Sequence, residues 1–290
     1  MNEAVKHLED YDTSERYAAT VLSSERITPE SSPEEVREIV LSVDRPVPFE
    51  VGQSVGVLAP AAPDFGHEHH LRLYSVADLP VFNKSDHPRI TLCVRRCFYI
   101  DDYSGEEYPG VASNYLCDLL PTQSLTLTGP YGLPFEVPED RDANLILIGT
   151  GTGIAPFRAF IKNLYTQIGN WEGKVWLLYG AKSGLEMLYM NDRRDDFSQY
   201  YDEETFEAFQ ALSPRPNWAD PIAWDHAIAE RAEELWSMLG EAKTYVYLAG
   251  LEKMRAELDN VFTRIVGSET KWQRRKAELM AGRRWVELIY

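Results

Sequence analysis

Leu145-Ile-Leu-Ile-Gly-Thr-Gly-Thr-Gly-Ile-Ala-Pro-Phe-Arg158 opens with four consecutive aliphatic residues, two of them β-branched. A strand solvated on one face alternates with polar residues, so this run reads as a strand buried on both faces. Gly149, Gly151 and Gly153, interleaved with Thr150 and Thr152, let the backbone turn sharply and approach a ligand without Cβ interference. Pro156, well tolerated in a first helical turn, is predicted to open a helix that runs through Phe157, Phe160 and Ile161 to Gln167. Strand, glycine loop and helix start together make a place for a phosphate or pyrophosphate, because free N–H groups and the positive dipole end meet there. The run lacks a Gly-Lys-Ser/Thr ending, and its glycines alternate instead of following Gly-x-Gly-x-x-Gly. On these residues alone two readings stand, a nucleotide site and a tight turn in an α/β core.

The chain has 290 residues, enough for two domains, and is 44% hydrophobic, enough for substantial cores. No apolar run approaches twenty residues, so no membrane span is expected. The start, Met-Asn-Glu-Ala-Val-Lys-His-Leu-Glu-Asp, has neither the basic nor the apolar region of a signal peptide. Cys93, Cys97 and Cys117 are an odd set without metal-ligand spacing, as expected of a reducing, cytoplasmic setting. A formal charge of -17 argues against nucleic acid and anionic lipid as partners, since both require a basic surface.

Residues 1–15 are polar and charged and read as a mobile arm. Ala18–Ser24, Val36–Val43 and Phe49–Leu58 are short β-rich segments separated by turn residues, as in a barrel or sandwich. His67, His69 and His70 lie in a polar stretch without further ligands at metal spacing and read as a solvated loop. Leu71–Val76 and Arg89–Tyr99 read as strands. Gly110–Leu119 reads as a glycine turn entering a short helix capped by Ser113, and Leu125–Pro134 as the closing strand. Taken singly, Arg72 and Arg95 are exposed strand charges and Tyr74 a half-buried aromatic. Grouped with the Ser75 hydroxyl, they have the chemistry to bind a phosphate, stack on a flat ring and hydrogen-bond its heteroatoms. Beyond a linker at Pro138–Ala143 the pattern becomes α/β. Strands are predicted at Leu145–Ile148, Val175–Tyr179, Thr244–Leu248 and, with a competing helical reading, Phe206–Leu212. Helices are predicted at Ala227–Leu239, Lys253–Ile265 and Lys271–Met280. Such alternation implies a parallel sheet, with ligands beyond the strands' C-terminal ends at Gly149–Gly153, Gly180–Ser183, Ser213–Arg215 and Gly250–Leu251.

From about Tyr17 to Tyr290 these segments resemble the plant-type ferredoxin–NADP⁺ reductase family. The resemblance rests on Arg-Leu-Tyr-Ser at 72–75, Cys-Val-Arg-Arg at 93–96 with Tyr99, Gly-Val-Ala-Ser-Asn-Tyr-Leu-Cys-Asp-Leu at 110–119 and Gly-Thr-Gly-Thr-Gly-Ile-Ala-Pro-Phe-Arg at 149–158. Ala-Glu-Glu-Leu-Trp at 232–236, Gly-Leu at 250–251 and the terminal Tyr290 complete it. It implies two domains: an antiparallel β-barrel FAD-binding domain at 16–140, followed by an α/β parallel-sheet NAD(P)-binding domain at 141–290. In the first, Arg72, Leu73, Tyr74 and Ser75 would hold the flavin and its phosphate. Cys93, Val94, Arg95 and Tyr99 would line the adenosine and diphosphate side, and Val111, Ala112 and Ser113 would add backbone and hydroxyl contacts. In the second, NADP(H) would meet Thr152 at the pyrophosphate turn, Ala181 and Lys182 after the next strand, Ser213 and Arg215 at the 2′-phosphate, and Gly250 and Leu251 near the nicotinamide. Tyr290 would cover the flavin ring opposite Tyr74. The implied activity carries electrons between NADP(H) and a one-electron carrier, ferredoxin or flavodoxin, through hydride transfer between nicotinamide C4 and flavin N5. Ser75, Tyr290 and Glu287 are the catalytic candidates.

The chain departs from the family pattern in four places. Ala249 stands where the family commonly has Cys. The end, Glu287-Leu-Ile-Tyr290, is one residue longer than Glu-aliphatic-Tyr, so either the last turn bulges to restore Glu287 or Leu288 occupies its place. The 2′-phosphate pair is split by a proline in Ser213-Pro-Arg215, and Pro221–His226 has no matching Lys, only Trp224 for the family's Tyr. The chain is acidic, whereas reductases for acidic carriers show a basic face; Lys271, Arg274, Arg275 and Lys276 offer a local docking patch or a solvated helix face. Two other readings therefore remain, an NADH-dependent reductase component dedicated to an oxygenase or other terminal enzyme, and a flavin- or nucleotide-binding scaffold without turnover.

Overall fold

The computed structural model describes residues 8–61, 68–132, 137–215 and 220–289, in two compact units: Met1–Glu136 with Arg158–Asn163, and Val137–Phe157 with Leu164–Tyr290. His67 and Tyr290 lie outside the described residues, as do the first seven residues and the last two of the expected closing strand, Leu133 and Pro134.

The first unit contains β1 (Arg16–Arg26), β2 (Val36–Val43), β3 (Ser54–Pro60), β4 (His69–Ser75), β5 (Val81–Phe82) and β6 (Pro88–Arg95). After them come β7 (Phe98–Ile100), β8 (Glu107–Pro109), helix α1 (Val111–Asp118) and β9 (Ser124–Tyr131). Seven strands form one antiparallel sheet in the order β4-β3-β9-β1-β2-β6-β5. Val76, just past β4, bridges antiparallel to Leu92 of β6, and Ala77 N–H donates to Thr91 O at 2.8 Å, which closes the sheet into a barrel. Inward side chains such as Val21, Ile39, Leu41, Val55, Val57, Leu92, Val94 and Leu127 fill it. The sequence alternates along these strands because one face meets this core and the other water.

Several local expectations are corrected. His69 and His70 sit in β4, paired with Pro60 and Ala59, because the β3 edge recruits them into the ladder. The expected strand Arg89–Tyr99 breaks after Arg95: Arg96 turns inward to Glu35 and Asp118, both at 2.9 Å, and β7 pairs with β8 in a separate hairpin. Ser113 does not cap α1. It lies inside the helix, where its Oγ accepts Cys97 N–H at 3.1 Å and donates to Gly110 O at 3.2 Å, while Gly110 takes the N-cap. Within the expected mobile arm, Tyr11 packs edge-on against Tyr131, whose hydroxyl donates to Asp12 O.

The second unit is built on β10 (Asn144–Thr150), followed by a 3₁₀ turn at Gly151–Gly153 and the start of helix α2 (Ile154–Asn163), whose stretch from Arg158 on belongs to the first unit. Then come β11 (Val175–Ala181), the short pair β12 (Met190–Asn191) and β13 (Arg194–Asp195), and β14 (Phe206–Leu212). Helices α3 (Trp224–Ile228) and α4 (Ala232–Gly240), β15 (Thr244–Gly250), helices α5 (Lys253–Val266) and α6 (Glu269–Ala281), and β16 (Trp285–Ile289) complete it. The sheet is parallel, in the order β14-β11-β10-β15-β16. Ile146, Ile148, Trp176, Leu178, Val246 and Leu248 meet residues of α3 to α6 on one face; Leu145, Leu147, Leu177 and Tyr247, alternating with them, are buried as well. Burial of both faces is why the strands read as unbroken apolar runs.

Here too boundaries shift. The helix after the glycine loop begins at Ile154, two residues before Pro156, and its last turn, Leu164–Ile168, widens into a π-helix. The helix expected over Ala227–Leu239 is broken by a 3₁₀ turn at Ala229–Arg231. Phe206–Leu212 is a strand, and its ladder with β11 settles the competition with the helical reading.

Candidate functional site

In the first unit, α1 packs against β3, β4 and β6, which gathers three of the sequence-predicted segments. Arg72 projects outward from β4, its guanidinium donating to Leu71 O at 2.9 Å. Tyr74 packs against the barrel core, and burial pushes its phenol pKa well up, with Cys97 and Cys117 adding to the effect, so it stays neutral. Ser75 Oγ lies 3.3 Å from Ser54 Oγ, each able to donate to the other. Leu73 lies half-buried between Arg72 and Tyr74.

At the end of β6, the Cys93 and Val94 side chains are buried, so only their backbone could meet a ligand, whereas Arg95 is exposed and lies 3.7 Å from Glu34. Val111, Ala112 and Ser113 form the first turn of α1, where no side chain caps the orphan N–H groups. An uncapped helix start next to a strand carrying an exposed arginine suits a diphosphate. Tyr99 is 57% exposed and stacks on Tyr108 at 5.5 Å, in a hairpin whose Phe98 and Ile100 are also exposed. Such an aromatic ledge suits a flat adenine, and the first unit thus fits both ends of FAD.

In the second unit, the C-terminal ends of β10, β11, β14 and β15 lie along one edge of the sheet. Because β11 and β15 flank β10 on opposite sides, the chain order reverses at the glycine loop, the usual ligand crevice of an open α/β sheet. Each glycine has its own reason. Gly151 takes φ +54°. A Cβ on Gly153 would run into the carbonyl oxygen of Ala249 and stand 2.9 Å from Gly250 N; one on Gly250, itself at φ +151°, would stand 2.5 Å from Thr150 Oγ1. The loop is also pinned by a residue that sequence reasoning missed: buried Tyr179 donates its hydroxyl to Gly151 O at 2.8 Å and accepts Leu188 N–H at 3.3 Å. Its place at the end of an apolar run disguised it as core.

Thr152 is half-buried in this loop. Ala181 ends β11 and is buried, and Lys182 follows it, exposed. Past β14, buried Ser213 donates to Asp220 O at 2.9 Å, and exposed Arg215 forms a two-pronged pair with the Asp220 carboxylate, Nε at 2.7 Å and Nη2 at 3.2 Å. Trp224, the candidate for the family's Tyr, is buried against Gly180 in the core, where only glycine leaves room for its ring. Gly250 is buried at the end of β15, and Leu251 is exposed beyond it.

The β16 ladder runs from Val246↔Trp285 to Gly250↔Ile289 without a register shift, so the chain does not bulge before Ile289. The Glu287 carboxylate accepts from Arg255 Nε and from Trp285 Nε1, both at 2.6 Å. Leu288, next along the strand, points to the opposite face.

Residues 147–259 match the family model described as an oxidoreductase NAD-binding domain. The chain is 33% identical to chloroplastic ferredoxin–NADP reductase, leaf isozyme 1, of Oryza sativa subsp. indica, over 97% of this chain and 78% of that protein. It is 32% identical to the chloroplastic ferredoxin–NADP reductase of Spinacia oleracea, over 94% and 75%. Among solved structures, ferredoxin–NADP⁺ reductase from Plasmodium falciparum superposes with a TM-score of 0.72 at 20% identity, covering 97% of this chain and 98% of that one. A mutant of that protein, solved in complex with 2′P-AMP, superposes with a TM-score of 0.70 at 21% identity, with the same coverage. With relatives above 30% identity that align across both units, the chain belongs to the plant-type ferredoxin–NADP reductase family.

Proposed function

We propose that this protein is an FAD-dependent oxidoreductase that transfers electrons between NADP(H) and ferredoxin. The observation that carries this is the 33% identity with a ferredoxin–NADP reductase across 97% of the chain. FAD, when bound, supplies the exchange between two-electron and one-electron chemistry. The chain's own residues bind and orient. Arg72, Arg95 and the first turn of α1 hold the diphosphate, with Cys93 and Val94 offering backbone, and Tyr99 takes the adenine. Leu73 and Tyr74 seat the flavin ring. Tyr74 serves as an apolar wall because burial keeps its phenol protonated. Ser75, its hydroxyl steadied by Ser54, hydrogen-bonds at the reacting rings. In the second unit, Thr152 and the α2 start take the pyrophosphate, Ala181, Lys182, Ser213 and Arg215 the 2′-phosphorylated adenosine, and Gly250 and Leu251 the nicotinamide.

The ferredoxin side is read at α6. Lys271 and Arg274 are exposed there. Arg274 also pairs with Glu278 at 3.0 Å, Arg275 lies over the Trp236 ring at 5.1 Å and 3.5 Å from Glu278, and Lys276 is tied to Asp259. No helix among the described residues is long and apolar enough to cross a membrane. The cysteines are thiols, which fits a reducing compartment such as the cytoplasm. A second reading, an NADH-dependent reductase for a dedicated terminal enzyme, draws on the Arg215–Asp220 pair and on the burial of Trp224.

The test is anaerobic rapid mixing of the flavin-loaded protein with NADPH and, separately, NADH, following the flavin absorbance. Fast bleaching by NADPH, slowed in Ser75→Ala with flavin content unchanged, is the expected result. Bleaching by NADH alone selects the second reading, and bleaching by neither overturns both.

A further inference from the structure

Both groups expected to receive a 2′-phosphate are clasped by one residue. Asp220 accepts Ser213 Oγ through its backbone carbonyl at 2.9 Å, and its carboxylate takes the Arg215 guanidinium through Nε at 2.7 Å and Nη2 at 3.2 Å. The Arg215 side chain is 66% exposed, so this pair faces the solvent from which a coenzyme arrives, while the Asp220 side chain, 22% exposed, is the more enclosed partner. A carboxylate in a guanidinium fork occupies the donors that a phosphate would use, and its charge opposes a dianion placed there. A ribose 2′-hydroxyl is neutral and can donate to a carboxylate, so it meets no such opposition. The clasp stands just beyond the C-terminal end of β14, the outer strand of the sheet, with Lys182 beyond neighbouring β11.

We infer that Asp220 is a specificity-determining residue: it holds Ser213 and Arg215 in a clasp that a 2′-phosphorylated dinucleotide must open and a 2′-hydroxylated one need not, which narrows the preference for NADP(H) over NAD(H). This rests on the reading that the ends of β11 and β14 receive the adenosine half of the coenzyme.

The experiment titrates the full-length, flavin-loaded protein calorimetrically with 2′-phospho-AMP and with AMP. Asp220→Asn keeps the side chain's size and the carbonyl that Ser213 uses but removes the charge. It is expected to tighten 2′-phospho-AMP by about fivefold, as for loss of one solvent-facing ion pair, while AMP stays within about twofold. Arg215→Ala is the companion, expected to weaken 2′-phospho-AMP by about tenfold or more and to spare AMP. If Arg215→Ala leaves 2′-phospho-AMP unchanged, the adenosine-site reading fails and the clasp with it. If Arg215→Ala weakens 2′-phospho-AMP but Asp220→Asn leaves the ratio of the two affinities unchanged, the clasp alone is overturned. Asp220→Ser, read the same way, replaces Asp220→Asn should that variant not fold. A change in the ratio of two ligands differing by one phosphate is not produced by a merely structural role.

Discussion

Gly153 and Ala249 approach so closely that a Cβ on the glycine would meet the alanine's carbonyl oxygen. The obstacle is backbone, which cannot rotate away. The end of β10 and the end of β15 can therefore converge on the coenzyme crevice only with glycine at 153. Gly153→Ala is expected to lower stability by about 1–3 kcal/mol and to weaken coenzyme binding, measured by thermal unfolding and by NADP⁺ titration. Gly151→Ala, where a Cβ would meet open space and only the positive φ is strained, should cost less, about 1 kcal/mol. Equal losses would refute this account of the loop.

Tyr179 ties the glycine loop to β11. In Tyr179→Phe, Leu188 N–H loses its partner in a buried setting and Gly151 O loses its partner in a partly buried one. The expected cost is about 1–3 kcal/mol, together with weaker coenzyme binding. A variant that binds NADP⁺ normally would show that the hydroxyl does not position the loop.

Glu287 is held by Arg255 and Trp285, with its side chain only 17% exposed. If its task is to anchor β16, Glu287→Gln and Arg255→Ala should both destabilise the protein and both slow flavin reduction by NADPH. If it acts on the reacting groups directly, Glu287→Gln should slow reduction while Arg255→Ala does not. Comparing the two variants by unfolding and rapid mixing separates the roles.

Burial pushes the Cys117 thiol up to about 12, the nearby Arg96 opposing only in part. Its thiolate is then scarce near pH 8, so a thiol reagent should modify half-exposed Cys97 rapidly and Cys117 only on unfolding. The same shift links to stability. An unfolded thiol releases its proton near 9 and the folded one near 12, so the contribution is complete below about pH 9 and is lost as the pH rises toward 12. Cys117→Ala should flatten the alkaline limb of a stability–pH profile; an unchanged limb would contradict the assignment.

Lys276 lies 14% exposed with its ammonium 2.9 and 3.0 Å from the Asp259 oxygens, whereas Arg274 is 82% exposed. Charge reversal at Lys271 is expected to slow electron transfer to ferredoxin at low salt without loss of stability, the difference vanishing at high ionic strength; at Arg274 the same slowing comes with a small loss, about 1 kcal/mol or less, from its exposed i,i+4 pair with Glu278. Lys276→Glu should instead lower the melting temperature, because it sets two carboxylates against each other.

Sequence alone determined the division of labour between the two halves. Short β-rich segments announced a barrel or sandwich, and unbroken aliphatic runs followed by glycine or helix announced a parallel sheet, because the number of buried faces on a strand is written into its own periodicity. It also placed the glycine loop at a strand end. Pairings between distant segments were decided by tertiary structure. Phe206–Leu212 carries apolar residues at helical as well as strand spacing and became a strand only through its ladder with β11. Trp285–Ile289 is short and carries a charge at its centre, so nothing local marked it as the fifth strand beside β15. Closure of the barrel by Val76 and Leu92, the burial of Trp224 over Gly180, the Arg255–Glu287 pair and the Asp220 clasp join residues whose local sequence names no partner. A side chain's propensity is a property of its neighbours along the chain, whereas its hydrogen-bond partner depends on register and packing across the fold.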